Sequence, residues 1–173
     1  MREVLHITTH MGGGVGKVLS GVASYAARTN APYRHRILLL EQPQKTNFID
    51  ICRADGVEIC APGRKEIEAA VRAADVVQIE WWHHPLMAAF LADFPQIRMR
   101  LALWAHVSGC WYPYISPAFL HVRQRFIFTS PYSLDNPYWN EAERAWARTH
   151  TSAIHSSGGF DAIRSHELHM CDD

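Results

Sequence analysis

The sequence has no excess of charge of either sign, because 17 lysines and arginines balance 17 aspartates and glutamates among its 173 residues. Proteins that hold nucleic acids by neutralising phosphates usually carry a basic excess or a basic run. Neither is present, so a nucleic-acid partner is not expected. The chain also contains no internal repeat and no low-complexity segment. Its hydrophobic share of 48% instead indicates one folded domain with a substantial core.

Cysteine is scarce, and its four positions do not pair into a metal-binding motif. The cysteines are Cys52, Cys60, Cys110 and Cys171. None of them forms a C-x-x-C pair, so a zinc ribbon is not expected. His166, His169 and Cys171 lie close together near the end of the sequence, but their spacing is not that of an H-E-x-x-H helix. We therefore predict no metal site.

The sequence also lacks an apolar stretch long enough to span a bilayer and a basic amphipathic helix that would favour a membrane surface. No signal peptide precedes the first predicted strand. The expected location is therefore the reducing cytoplasm, with free thiols. Weak membrane attachment, as used by enzymes that act on lipid-linked acceptors, is an alternative without support in the sequence.

The most informative segment is the start of the chain, where an apolar run leads into three consecutive glycines and a helical pattern. Residues 4–9 predict a strand, Gly12 to Gly14 with Gly16 a glycine-rich loop, and residues 15–27 a helix. In this arrangement the N–H groups at the helix start point at negative charge, and glycine lets a ligand approach the backbone closely. We therefore expect a phosphorylated ligand at the C-terminal edge of a parallel sheet.

The glycine loop allows three interpretations. A nucleotide-triphosphate P-loop needs glycine where Met11 stands and Ser or Thr where Val18 stands, and its lysine-first variant fails at Gly12. A dinucleotide fingerprint finds Lys17 in place of its third glycine, although Glu41 supplies the acidic residue after strand two. A diphosphate-sugar loop needs only flexible backbone and a helix N-terminus, and the segment has both.

Apolar runs and helical patterns alternate along the chain. The predicted strands cover residues 4–9, 36–40, 57–60, 76–79, 100–105, 125–129 and 151–154. The predicted helices cover residues 15–27, 47–54, 64–73 and 85–93. This alternation predicts an α/β fold, a Rossmann-like parallel sheet with helices on both faces. Right-handed crossovers then place the loops after all strands on one edge.

Polar and aromatic side chains follow several of these strands and would meet at that edge. They include His10 and Lys17, Glu41, the run from Glu80 to His84, His106, Ser108, Trp111, Tyr112, Tyr114, Ser130 and Tyr132. Aromatic faces beside carboxylate and imidazole groups suit sugar rings. Trp81 and Trp82 are adjacent, so we expect them to face opposite ways, with one in the core.

Four segments, in their order, resemble a known family. They are VLHITTHMGGGVGKVLSGVASYA at residues 4–26, DVVQIEWW at 75–82, RLALWAHVSG at 100–109 and RFIFTSPYSLD at 125–135. A fifth piece, SAIHSSGGFD at 152–161, is similar to a link out of a first domain. Together they resemble the N-terminal half of a retaining glycosyltransferase of family four, which has the GT-B fold. Gln78 and Glu80 stand where that family commonly has histidines, and residues 157–159 replace its asparagine-glycine-valine.

The resemblance implies transfer of a sugar from a nucleotide-diphosphate donor to a glycan or other hydroxyl acceptor, with retention and without a cofactor. The protein would stabilise the charge of the leaving diphosphate and position the acceptor. His106 is implied as the catalytic, orienting or charge-stabilising group. The implied donor-phosphate residues are Gly12, Gly13, Gly14, Gly16 and Lys17. The implied acceptor residues are Glu80, Trp81, His83, Trp111 and Ser130.

The resemblance also implies a partner domain. In this family a second domain holds most of the nucleotide-sugar site, including an E-x7-E pattern that the last part of this sequence lacks. Residues 1–160 would be the acceptor-side domain, residues 161–173 a tail or the start of the link, and the chain alone is expected to transfer little sugar. A stand-alone glycan-binding or partner-dependent module and a P-loop-like NTP-binding protein are the alternatives.

Overall fold

Seven strands pair in parallel in the computed structural model, which describes residues 1–121 and 125–156. The strands are β1 (Arg2–Thr8), β2 (Tyr33–Leu39), β3 (Glu58–Cys60), β4 (Val76–Trp81), β5 (Leu101–Ala105), β6 (Arg125–Phe128) and β7 (Ser152–Ala153). Their order in the sheet is β3-β2-β1-β4-β5-β6-β7. The predicted α/β, Rossmann-like fold is confirmed. The order in which strands are added reverses between β1 and β4, and open α/β sheets bind ligands at such a switch point.

Six α-helices connect the strands of the described ranges. They are α1 (Gly13–Arg28), α2 (Asn47–Ala54), α3 (Arg64–Ala73), α4 (Pro85–Ala92), α5 (Pro117–Leu120) and α6 (Glu141–His150), with a 3-10 helix at Pro131–Asp135. Helix α6 begins with a capping box, in which Asn140 and Glu143 each accept the backbone N–H of the other. None of the helices in the described residues has the length and apolar character needed to cross a membrane.

Two hydrophobic clusters cover the two faces of the sheet, and β2 shows why. Ile37 and Leu39 belong to one cluster, with side chains of α1 and α2, whereas Leu38 belongs to the other, with side chains of α3 and α4. Successive side chains of a strand point to opposite faces, so a strand buried on both faces is apolar at every position. This pattern is what made β2 recognisable in the sequence.

Some helices of the structure were not predicted from the sequence, and some predicted segments lie outside the residues that the structure describes. Helix α5, the 3-10 helix and α6 were not among the predicted helices. Of the predicted link at residues 152–161, residues 157–161 lie outside the described residues, as do the domain boundary at residue 160 and the tail with its His166, His169 and Cys171.

Candidate functional site

A cleft of about 470 Å³ opens at the edge of the sheet where β1, β4 and β5 end. We call it the main cleft. Its walls are formed by His10, Gly12, Gly14, Val15, Lys17, Val18, Trp82, His106, Val107 and Ser156. The structure thus brings the glycine loop, Lys17 and the implied catalytic His106 around one space, although they come from distant parts of the sequence.

The start of α1 gives the main cleft its anion-binding character. Gly12 precedes the helix, no side chain caps the helix start, and the first turn has no acidic residue. The first N–H groups of a helix lack partners within the helix and carry partial positive charge. Gly13 has φ +65, a left-handed conformation that favours glycine, and a Cβ at Gly14 would meet nothing within 4 Å. Together with Lys17, these open backbone groups suit a phosphate.

Gly16 serves helix packing and not the phosphate contact that the resemblance implies. It is buried, and a Cβ at this position would lie 1.9 Å from the carbonyl oxygen of Met11 and 2.9 Å from the ring of Phe48. Only glycine therefore lets α1 pack this closely on the loop before it. We correct the expectation of a phosphate contact at Gly16 to a packing role.

Glu80 lies inside the protein rather than on the acceptor side of the cleft. Its side chain is 0% exposed, and both carboxylate oxygens are occupied. His6 Nδ1 at 2.7 Å and Gln78 Nε2 at 2.7 Å donate to Oε1, while His106 Nε2 at 2.6 Å donates to Oε2. Because the carboxylate has no solvent exposure, an acceptor in the main cleft does not reach it, so the expected acceptor contact is corrected to support of His106.

The surroundings of Glu80 keep it ionised. Burial by itself raises the pKa of a carboxyl group, but the hydrogen bonds and charges of His106 and His6 outweigh it and lower the Glu80 pKa to about 2. An ionised carboxylate can only accept hydrogen bonds. The His106 ring must therefore carry a proton on Nε2.

His106 faces the main cleft with its other nitrogen available. Its side chain is 5% exposed, and no residue of the described part of the chain forms a hydrogen bond with its Nδ1. Because Glu80 holds the proton on Nε2, Nδ1 is an acceptor when the ring is neutral and a donor when it is positively charged. Both forms suit a group that orients a sugar or stabilises a phosphate.

The adjacent tryptophans divide between core and cleft, as expected, and the structure shows which is which. Trp81 is buried and packs on Phe119, whereas Trp82 lines the main cleft. The implied acceptor role of Trp81 is therefore corrected to a core role. The His83 ring packs edge-on against Trp81, and its partial burial lowers its pKa. His83 is not in the wall of the main cleft.

Trp111 and Ser130 are not in the wall of the main cleft. The hydroxyl of Ser130 accepts the backbone N–H of Tyr132 and so caps the 3-10 helix. Trp111 is 72% exposed. It is followed by an aromatic surface made of Tyr112, Tyr114 and Tyr138. In this surface the Tyr114 and Tyr138 rings have centroids 3.6 Å apart, and the Tyr112 and Tyr114 centroids are 6.0 Å apart.

A second cleft of about 510 Å³ adjoins the first and shares His10 and Gly12 with it. Here His10, Glu41 and His84 place possible ligand atoms within 4.8 Å of one another. However, Nδ1 of His10 accepts the Gly12 N–H at 3.0 Å, and Nδ1 of His84 accepts the Leu86 N–H at 3.2 Å. In their neutral form both rings therefore carry the proton on Nε2. This nitrogen then donates hydrogen bonds and is not free to bind a metal ion. We assign no metal here.

Comparisons with known proteins bear on the fold. No protein-family model matches the chain, and no curated protein matches it. A glycosyltransferase structure from Rickettsia africae ESF-5 is similar with a TM-score of 0.61 and 11% identity, over 89% of this chain and 42% of that one. A hypothetical protein from Streptococcus mutans, SMU.573, is similar with a TM-score of 0.54 and 13% identity, over 90% of this chain and 59% of that one.

These similarities show a glycosyltransferase-like fold. The chain spans less than two thirds of the length of either structure. At identities of 11% and 13% the likeness concerns the backbone arrangement and not individual site residues. What the site does must therefore be argued from its own geometry.

Proposed function

We propose that this chain is the acceptor-side domain of a glycosyltransferase that moves a sugar from a nucleotide-diphosphate donor to a hydroxyl acceptor. One observation carries the proposal: the main cleft gathers the uncapped start of α1, Lys17 and His106 around one space. The glycosyltransferase-like fold supports it. A diphosphate needs N–H donors and positive charge, and this cleft offers both.

The diphosphate would lie against the first turn of α1. The N–H group of Gly14, and that of Gly13, which lines the adjoining second cleft, would bond to its oxygens, and the ammonium group of Lys17 would add charge. In the transfer, the acceptor oxygen bonds to the anomeric carbon as the bond from that carbon to the diphosphate oxygen breaks. The hydroxyl proton passes to a diphosphate oxygen. Stabilising the departing charge therefore lowers the barrier.

His106 would act beside the diphosphate. In its positively charged form its Nδ1–H donates to a phosphate oxygen, and Glu80 behind it holds the ring in place. In its neutral form Nδ1 accepts a hydroxyl of the donor sugar. As in the family that the sequence resembles, we propose transfer with retention at the anomeric carbon.

The acceptor would lie along the exposed aromatic residues. Trp82 in the main cleft, Trp111 and the aromatic surface offer ring faces on which sugar C–H groups stack. This exposed surface also favours the alternative function of a glycan-binding module that needs no catalysis of its own. In both cases we propose a cytoplasmic location, which agrees with the free thiols of Cys52, Cys60 and Cys110.

A second, donor-binding domain would complete the enzyme. The similar glycosyltransferase structure is longer than this chain, which covers 42% of it. We propose that such a partner holds most of the nucleotide and sugar, and that the present chain alone transfers little sugar. The diphosphate contact at α1 is the part of donor binding that this chain contributes.

Isothermal titration calorimetry with UDP and GDP tests this function. We expect the chain to bind one of them weakly and without magnesium, and Lys17→Ala to weaken binding about tenfold, which corresponds to about 1.4 kcal/mol. Lys45→Ala, in the second cleft, is the matched control and leaves binding unchanged. No heat at millimolar nucleotide, or binding only of ATP or GTP with magnesium, contradicts the proposal.

A further inference from the structure

A row of four titratable side chains crosses the interior and extends beyond the site described above. His106 is joined to Glu80, Glu80 to His6 and His6 to His35. The last of these contacts, from His6 Nε2 to His35 Nδ1, is 2.7 Å long, and the two rings stack with centroids 5.1 Å apart. The side chains of His6 and Glu80 are 2% and 0% exposed. None of the sequence motifs indicated His6 or His35.

The row connects two different surfaces. His106 lines the main cleft at the C-terminal edge of the sheet. His35 lies near the start of β2 and lines a small depression of about 90 Å³ beside Tyr33 and Asn30. The buried middle of the row, His6 and Glu80, therefore has one imidazole neighbour open to the cleft and one open to a separate surface.

Glu80 needs a positive partner. A buried carboxylate without a counter-charge is costly, because water no longer solvates it. Within the described residues no lysine or arginine lies within ion-pair distance of Glu80, and its ionic contacts are His6 and His106. Either of these two imidazoles can supply the counter-charge, and a single carboxylate balances one of them.

We propose that His6 and His106 share one positive charge across Glu80, so that His6 is a positioning residue that sets the charge of His106. When His6 carries the charge, its Nε2–H donates to His35 Nδ1 and His106 is neutral. When His106 carries it, His6 is neutral and its Nε2 accepts from His35 Nδ1–H. Glu80 stays ionised and accepts hydrogen bonds from both rings in either state.

The arrangement links events in the main cleft to the far surface. An anion in the cleft favours the charged form of His106, which takes a proton at Nδ1 from water. His6 then loses one proton, which passes from its Nε2 to His35 Nδ1, while His35 Nε2–H releases a proton to water. One proton enters and one leaves. That the anion is a diphosphate rests on the proposed function, whereas the sharing of charge does not.

Few other charged groups face this row, and Arg34, which lines the depression beside His35, is paired with Glu3. Lys17 and His10 stand with His106 in the walls of the main cleft, and neither contacts Glu80. Gln78, also bonded to Glu80, does not titrate. Burial and the neighbouring His6 lower the pKa of His35 to about 4 although Glu80 opposes them, so His35 relays protons in its neutral form. Removing His6 should therefore act on His106 through Glu80.

NMR titration of the histidine ring resonances tests the proposal on the whole chain without ligand. The His106 resonance is identified by its loss in His106→Gln. In His6→Gln, Glu80 has one imidazole left, so we expect the proton affinity of His106 to rise about tenfold, a midpoint shift of about one pH unit. His150→Gln, on the exposed end of α6, is the control and leaves the midpoint in place.

A second variant keeps the test valid if His6→Gln does not fold. Circular dichroism checks the fold of both variants. His35→Gln lies at the less buried end of the row and removes the ring that receives the His6 Nε2–H. It should raise the His106 midpoint by a smaller amount in the same direction. An unchanged midpoint in whichever of the two variants folds overturns the proposal. Because no nucleotide is used, this result is independent of whether the chain binds a diphosphate.

Discussion

Nε2 of His106 donates a hydrogen bond of 2.6 Å to Oε2 of Glu80, a carboxylate with no exposure to solvent. The two residues are 26 positions apart, one at the end of β4 and the other directly after β5. Because these strands are neighbours in the sheet, the fold itself sets this contact. It determines which nitrogen of His106 is offered to the cleft.

Acid should destabilise the protein through Glu80. The pKa of Glu80 is lowered from 4.5 to about 2 in the folded state, so the folded state gains stability above pH 4.5 and loses it as the pH falls toward 2. A shift of this size contributes at most about 3 kcal/mol. Glu80→Gln cannot titrate, and urea unfolding at pH 6, 4 and 3 should show a smaller decline for this variant. An equal decline in both proteins would refute this role for Glu80.

Two glycines of the α1 loop should respond differently to the same substitution. Gly16→Ala places a methyl group 1.9 Å from the carbonyl oxygen of Met11, so we expect a loss of at least about 2 kcal/mol in the free energy of unfolding. Gly14→Ala meets open space and should leave stability unchanged or slightly higher. Thermal unfolding compares the two, and similar melting temperatures would contradict the packing role of Gly16.

Truncating Trp111 should affect glycan binding and not folding. Its side chain is 72% exposed, so Trp111→Ala removes little buried surface and the melting temperature should stay the same. If sugars stack on this ring, binding to a glycan array should fall several-fold, because stacking contributes about 1 kcal/mol. Tyr25→Ala, an exposed aromatic residue of α1, is the control. Equal signals from both variants would exclude Trp111 as an acceptor contact.

Much of the fold follows from alternation of apolar runs. The predicted strand at residues 36–40 begins three residues late, because Tyr33, Arg34 and His35 are polar or exposed but still pair with β1. The helix at residues 47–54 was predicted with the ends that the structure shows. Helix α6 was not predicted because charged residues dominate its pattern, although the capping box at Asn140 and Glu143 indicates the start of a helix.

The site could be predicted only in part. Positions after strands β1 and β5 were placed at the right edge, since parallel strands end together, and the main cleft contains Gly12, Gly14, Lys17 and His106. The roles of His6 and Glu80, which lie inside strands, were not predicted correctly. His6 and Glu80 interrupt apolar runs, and a charged residue among buried ones must have a partner. That partner comes from another strand, and no local pattern reveals it.

Mapping where a nucleoside diphosphate binds tests the central claim most directly. UDP and GDP are each titrated into the ¹⁵N-labelled chain, and the amide and histidine resonances are followed. We predict shifts concentrated at the Gly14, Val15 and Lys17 amides and at the His106 ring, which line the main cleft alone, with little change at Lys45 and His84 in the second cleft. Shifts confined to the second cleft, or none at millimolar concentration, would contradict the assignment of the main cleft as a diphosphate site.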